Sequence, residues 1–198
     1  MVVDKVEEMG ENRKKRKRRA IISWLTIAFA LLLVAGLSMF FVARRVFPLN
    51  HRDIIAANAI ENDIDEYLIM AIIMTESSFR DTVVSHAGAI GLMQIMPQTG
   101  EHIAQRIGFE DFTLEALNEP AVNIQFGTWY ISQLIEQFNG NLDTALAAYN
   151  AGRNKVRGWL ADERFSTDGE NLDYIPYPET RNFVSRVNLY RRIYRILY

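Results

Sequence analysis

Apolar positions in this chain follow three patterns, and each predicts a different kind of helix. From Ala20 to Ala43 no charged side chain interrupts a run rich in Leu, Ile, Val, Ala and Phe. At about 1.5 Å per residue this run makes roughly 36 Å of helix, enough to cross a hydrocarbon core of about 30 Å with some tilt. From Tyr67 to Met74 a shorter run is apolar on every face, the pattern of a helix surrounded by its own protein. From Pro120 onward the apolar residues keep to a stripe, with Ile124, Gly127, Ile131, Leu134, Ile135 and Phe138 on one side and Asn139-Gly140 as the stop. A second striped helix closes the chain from about Glu179 to Leu197, turning Phe183, Val184, Val187, Tyr190, Ile193, Tyr194 and Leu197 inward.

The breakers between these runs complete the outline. Pro48 ends the first helix, Asp53 to Glu61 reads as a short helix, and Asp65 can cap the one that follows. Gly88 and Gly91 open a loop, and Pro97 suits the first position of a helix that stops near Gly108. Asp143 to Ala151 is a helix of small residues, and the polar stretch 161–174 reads as a surface loop. No stretch alternates as a strand does, and no segment repeats. The expected fold class is all-α, a helical domain preceded by one N-terminal transmembrane helix.

Charge orients that first helix. Arg13 to Arg19 are seven consecutive basic residues directly before it. The positive-inside bias then predicts a cytoplasmic tail at 1–19, a transmembrane helix at 20–43, a linker at 44–52 and an extracytoplasmic domain at 53–198. Arg44 and Arg45 pull the other way and are outnumbered. A cleaved signal peptide competes with the anchor, but its apolar region usually runs about 7 to 15 residues up to a small-residue cleavage site, whereas this run is longer and meets Arg44-Arg45. The absence of cysteine removes disulfides, thiolate sites and a lipid attachment point together.

The net charge of −2 hides an uneven split: residues 1–19 carry eight Lys/Arg against four Asp/Glu, and the remaining 179 carry 14 against 20. No basic stripe tracks a polyanion there, so nucleic acid is not expected as a partner.

Candidate chemistry begins with Glu76, which directly follows the all-apolar run in Ile72-Ile73-Met74-Thr75-Glu76-Ser77-Ser78-Phe79. A carboxyl group held against apolar walls resists ionisation, so its pKa rises and it can hold a proton near neutrality, as a general acid must. Alone, a glutamate at a helix end is better explained as a side chain pointing to water. Three further segments stand beside it. Ser85-His86-Ala87-Gly88-Ala89-Ile90-Gly91-Leu92-Met93-Gln94-Ile95-Met96-Pro97-Gln98-Thr99 joins glycines to side chains that can hydrogen-bond a sugar. Ala147-Ala148-Tyr149-Asn150-Ala151-Gly152 offers a ring and an amide, and Ile175-Pro176-Tyr177-Pro178-Glu179-Thr180-Arg181 offers another ring with a carboxylate.

In this order and register the four segments resemble the catalytic domain of the soluble lytic transglycosylases, a bacterial branch of the goose-type lysozyme-like fold. The resemblance runs from about Asp53 to Tyr198. It implies that Glu76 is the catalytic acid and base. It also implies that Ser85, Gln94, Met96, Thr99, Tyr149, Asn150 and Glu179 line a groove for peptidoglycan glycan strands. One departure is Glu66, which stands where family members often carry a proline after the capping residue.

Ordinary glycosidases pair two carboxylates, and no second carboxylate is convincingly tied to Glu76, since Asp81 sits in a polar turn. The family's one-carboxylate chemistry fits that shortage: cleavage between N-acetylmuramic acid and N-acetylglucosamine with closure of a 1,6-anhydro ring. This needs neither metal nor organic cofactor, and His51, His86 and His102 lack ligand spacing. The alternatives are a muramidase that hydrolyses the same bond and a non-catalytic wall-binding scaffold.

Overall fold

The computed structural model describes residues 2–198, with every side chain from Ile21 onward. It divides into two compact units, one reaching to Val46 and one from Phe47 to Tyr198. The first is a single helix, α1 (Val2–Val46), which carries on through the basic block and past Ala43. Every side chain from Ile21 to Val42 is exposed. Within it, Arg16–Val46 is long and apolar enough to cross a membrane by length and composition.

The second unit is built of α2 (Arg52–Glu61), α3 (Glu66–Glu76), α4 (Pro97–Ile107), α5 (Pro120–Gln137), α6 (Leu142–Ala151), α7 (Arg153–Leu160) and α8 (Pro178–Leu197), with a 3-10 turn at Leu114–Asn118. Helix α3 forms the centre: Leu68 to Ile73 are six consecutive buried residues. At about 1.5–3 kcal/mol for each large apolar side chain fully removed from water, this short helix contributes a substantial part of the core. Its main neighbour is α8, which turns Phe183, Val184, Val187 and Tyr194 toward the interior. Helix α6 packs between α5, α7 and α8, and its Ala145, Ala147 and Ala148 are fully buried.

Asp65 caps α3 as its sequence position predicts, accepting from Tyr67 N–H at 3.1 Å. The same carboxylate takes Arg191 Nε at 2.6 Å and Arg195 Nη2 at 2.7 Å, which pins the start of α3 to the end of α8. Burial alone would raise the Asp65 pKa, but the arginine and amide hydrogen bonds outweigh it and hold it below its ordinary value. Glu66, at the first helical position, lies 4.0 Å from Arg52.

Two elements are absent from the sequence outline. Helix α7 buries only Val156 and Trp159, too few inward positions to make a readable stripe. The 3-10 turn buries Leu117 alone. Residues 47 and 48, counted within the linker 44–52, are fastened to α8. Phe47 meets the rings of Tyr190 and Tyr194 at 5.3 and 5.5 Å. Tyr194 donates to the Pro48 carbonyl and Tyr198 to that of Phe47, at 3.1 and 2.8 Å.

Candidate active site

Glu76 is the last residue of α3, so the helix that forms the core delivers its carboxyl to the edge of that core. The side chain is half-buried and, among the described residues, makes no ion pair. Burial pushes its pKa from 4.5 to about 7; the charge of Arg186 works against this rise and that of Glu179 adds to it. A carboxyl in that range can hold its proton near neutral pH and can both give and take one.

The backbone leaves α3 abruptly. Ser78 and Phe79 both adopt left-handed conformations, with φ of 54° and 59°. For residues with a Cβ such positions cost on the order of 1–3 kcal/mol each and persist where the surroundings enforce them. Here Phe79 is buried, and the buried Ser77 hydroxyl donates to the Ile73 carbonyl at 3.1 Å.

The loop from Ser85 to Met96 is held by a small set of cross-links. Ile90 and Ile95 exchange backbone hydrogen bonds at 2.9 Å, and Val84 bridges to Ile90. Gln94 is left-handed at φ 48°, and its amide donates to the carbonyls of Val83 and Gly91 at 3.0 and 2.8 Å. Gly91 admits no larger residue: a Cβ there would stand 2.3 Å from Asn123 Nδ2 and 2.5 Å from the Leu117 carbonyl. The Ser85 hydroxyl accepts from Ala89 N–H at 3.0 Å, within its own loop. Met96 is exposed at the head of α4, and Thr99 lines a hollow one turn further along.

Tyr149 joins this loop to Glu76. Its hydroxyl donates to the Met93 carbonyl at 2.7 Å, and its ring stacks parallel to Phe183 of α8. Burial first, then the charge of Glu76, raises its pKa well above the ordinary value, so the hydroxyl stays protonated and donating. Asn150 Oδ1 accepts from Thr180 Oγ1 at 2.8 Å, which ties the end of α6 to the first turn of α8, where Glu179 is exposed. Glu76, Tyr149 and Glu179 thus share one electrostatic neighbourhood, and Gln94 is coupled to it through Met93. Asp81 lies elsewhere, exposed and paired with His51 Nε2 at 2.9 Å.

Sequence reading missed two residues here. Asn123, almost wholly buried on α5, accepts from Met93 N–H at 2.7 Å and donates to the carbonyls of Ile90 and Leu117 at 2.9 and 2.8 Å. Its signal was available: an amide one turn before Gly127, on the stripe assigned to the core. Arg186, two turns after Glu179 on α8, has no comparable signature, because its charge bears on Glu76 only after folding. Among the described residues no group of three or more His, Asp or Glu converges as a metal site.

A strand-free helical domain with a half-buried carboxyl at the end of its central helix is of the lysozyme-like class. The chain belongs to the Transglycosylase SLT domain family, which it matches over residues 53–171. It is 38% identical over 151 residues to the soluble lytic murein transglycosylase of Salmonella typhimurium, covering 75% of this chain and 23% of that protein. The Escherichia coli K12 counterpart is 36% identical over the same length and shares. Two solved structures superpose well. One is an inactive Glu-to-Gln mutant of lytic transglycosylase Slt from Pseudomonas aeruginosa, with a TM-score of 0.66 and 38% identity over 75% of this chain and 24% of that one. The other is the 70-kDa soluble lytic transglycosylase of Escherichia coli in complex with bulgecin A, with a TM-score of 0.70 and 32% identity over 78% and 25%. The chain therefore spans about a quarter of the length of the relatives it matches.

Proposed function

We propose that this chain is a membrane-anchored peptidoglycan lytic transglycosylase that cleaves the β-1,4 bond between N-acetylmuramic acid and N-acetylglucosamine. The observation that carries this reading is the placement of the Glu76 carboxyl at the end of the buried helix α3, half-buried and, among the described residues, without an ion-pair partner, where burial pushes its pKa up to about 7. In the forward step Glu76 gives its proton to the glycosidic oxygen as the C1–O bond breaks. The substrate acetamido group stabilises the cationic C1, and in this reading the Ser85 hydroxyl holds that group. The Glu76 carboxylate then takes the proton of the muramyl C6 hydroxyl as O6 closes on C1. Glu76 ends protonated as it began, and no water is consumed.

Gln94, Met96, Thr99, Tyr149, Asn150 and Glu179 line the saccharide groove in this reading. An inactivating Glu-to-Gln exchange in the Pseudomonas relative is the same chemical change that this mechanism makes fatal at position 76. The exposed apolar surface of α1 from Ile21 to Val42 and the basic block Arg13 to Arg19 that precedes this run support an uncleaved anchor, with the tail cytoplasmic and the domain outside.

Digestion of purified peptidoglycan with mass spectrometry of the products tests the reaction. Anhydromuropeptides are expected. Products heavier by one water would make the chain a hydrolytic muramidase instead, and intact peptidoglycan would leave only a wall-binding scaffold.

A further inference from the structure

The C-terminal end of α8 differs in charge from the rest of its unit. Residues 47–198 carry 12 Lys/Arg against 20 Asp/Glu, yet residues 180–198 hold five of those cations and none of the acids. Arg191, Arg192 and Arg195 cluster near the end of the helix. Asp65 is shared by Arg191 and Arg195, which leaves a net positive charge there even before Arg192 is counted. The solvent face of the same turns is apolar as well: Leu189 at 46% exposure, exposed Arg192, and Ile196 at 81% follow one another at helical spacing. A helix C-terminus attracts cations through its dipole, but that attraction gives no reason for an isoleucine facing water beside them.

The chain itself limits where this end can lie. Phe47 directly follows Val46, the last residue of α1, and the carbonyls of Phe47 and Pro48 accept from Tyr198 and Tyr194 at 2.8 and 3.1 Å. Phe47 stands four residues beyond Ala43, so at about 1.5 Å each it comes roughly 6 Å after the apolar run. The headgroup layer of a bilayer extends roughly 5–8 Å beyond its hydrocarbon. With residues 20–43 in a bilayer, the end of α8 to which Phe47 is tied therefore stands at headgroup level. Arginine, tyrosine and an exposed aliphatic side chain suit that layer, where cations meet lipid phosphates and tyrosine rings keep one end apolar and the other wet.

We infer that the end of α8, through Arg192, Arg195, Ile196 and Tyr198, is a docking surface for the anionic phospholipid headgroups of the membrane that holds α1. The inference rests on the anchoring proposed above. Asp65, clamped by Arg191 and Arg195, and Glu76 stand at opposite ends of α3, whose 11 residues extend about 16 Å. Glu179, at the start of α8, shares the charge environment of Glu76. Docking thus engages the end of the domain opposite the catalytic carboxyl and leaves the saccharide groove open.

Site-directed fluorescence on the full chain in vesicles tests this, because the absence of cysteine makes any introduced thiol unique. An environment-sensitive dye is attached at Ile196→Cys or, as a control, at Val84→Cys, which is 61% exposed in the loop that carries Gln94. The vesicles are phosphatidylcholine alone or phosphatidylcholine with phosphatidylglycerol, each with a nitroxide quencher on the headgroup. The ratio of docked to undocked domain, read from quenching at position 196, should be about fivefold or more higher on the anionic vesicles, the effect of one or more cations at such a surface. Quenching at position 84 should not respond to lipid charge. Arg192→Gln removes a guanidinium that bonds to the Asn188 carbonyl of its own helix at 3.4 Å. It should lower the docked ratio by about fivefold and leave thermal unfolding unchanged. Equal quenching at the two positions, indifference to lipid charge, or a ratio unmoved by Arg192→Gln overturns the surface. A dye at position 196 that is shielded from water yet beyond reach of the lipid quencher would place a second protein copy on this face and overturn it as well. Flotation in alkaline carbonate reads the anchor separately. A chain that floats without charge-dependent quenching keeps its anchor and loses the docking surface, whereas a chain released from the vesicles loses both.

Discussion

Two helices of this chain are apolar around their whole circumference, and they resolve that surface in opposite ways. From Ile21 to Val42 every side chain of α1 is exposed, whereas Leu68 to Ile73 of α3 are all buried. Composition does not separate them; length and neighbours do. Eleven residues of α3 extend about 16 Å, which α8 and the surrounding elements can cover on all sides. The longer run of α1 would need a comparable sheath over more than twice that distance, which a bilayer would supply under the proposed anchoring. The ends differ as well. α1 finishes with Arg44 and Arg45, cations at the helix end that favours them, while α3 finishes with Glu76, an anion at the end that does not. The buried helix thus sets a carboxyl where ionisation is costly, and that cost is its chemical use.

The largest expected effect tests this link directly. Glu76→Gln keeps the shape and loses the proton, so release of product from peptidoglycan, followed by mass spectrometry, should fall by at least about three orders of magnitude. Wild-type activity should also decline as pH rises past about 7, where Glu76 loses the proton it must donate. Stability should move the other way. The folded pKa lies above the unfolded value, so the contribution of the protonated carboxyl is complete below about 4.5 and is lost as pH rises through about 7. Melting curves should show the Gln variant more stable than wild type at pH 8, by up to about 3 kcal/mol, and little different at pH 4. A folded variant that keeps a tenth of wild-type cleavage would move the chemistry elsewhere.

A matched pair of leucines breaks or sharpens the contrast between the helices. Leu68→Ala, at 2% exposure on α3, should destabilise the domain by about 2–5 kcal/mol in denaturant unfolding. Leu32→Ala, at 73% exposure on α1, should leave the same transition in place. A shift from Leu32→Ala comparable to that from Leu68→Ala would show that α1 is sheathed by protein.

How much of this was legible beforehand follows the same division. Elements that announce themselves by an apolar stripe and a cap were readable: the Asp65 cap, Pro97 and Pro120 at the first helical positions, and Gly108 in a left-handed turn at φ 69°. Helix α7 and the 3-10 turn were not, because they bury two residues and one. Within the site, Glu76 could be singled out because its environment is local in sequence. Asn123 offered only an amide on a core stripe as its signal; that it holds Met93, Ile90 and Leu117 together was not legible, because these partners lie up to 33 residues away and only the fold assembles them.

The junction after α1 gives a smaller effect. Phe47 and Pro48 are held by the rings of Tyr190 and Tyr194 and by the hydroxyls of Tyr194 and Tyr198. A soluble fragment beginning at Phe47 should therefore unfold cooperatively and be more stable than one beginning at Asn50 by about 2 kcal/mol, the worth of a buried ring contact and two hydrogen bonds. Equal melting temperatures would make residues 47 and 48 a tether rather than part of the domain.

The smallest effect separates holding from reacting at Tyr149. Its ring stacks on Phe183, and its hydroxyl makes one hydrogen bond, to the carbonyl of Met93 beside Gln94. Tyr149→Phe keeps the stack and removes that bond alone, leaving the Met93 carbonyl without the donor that fixes its loop. Loss of one such bond costs about 1 kcal/mol of stability, and the displaced Gln94 should lower kcat/KM by about tenfold. The pH profile should keep its shape, because the hydroxyl is held protonated well beyond the range in which Glu76 titrates. A fall approaching that of Glu76→Gln, or a shifted acid limb, would mean that Tyr149 takes part in proton transfer. Its effect would then belong to the chemistry at the end of α3, and the loop would no longer be what it serves.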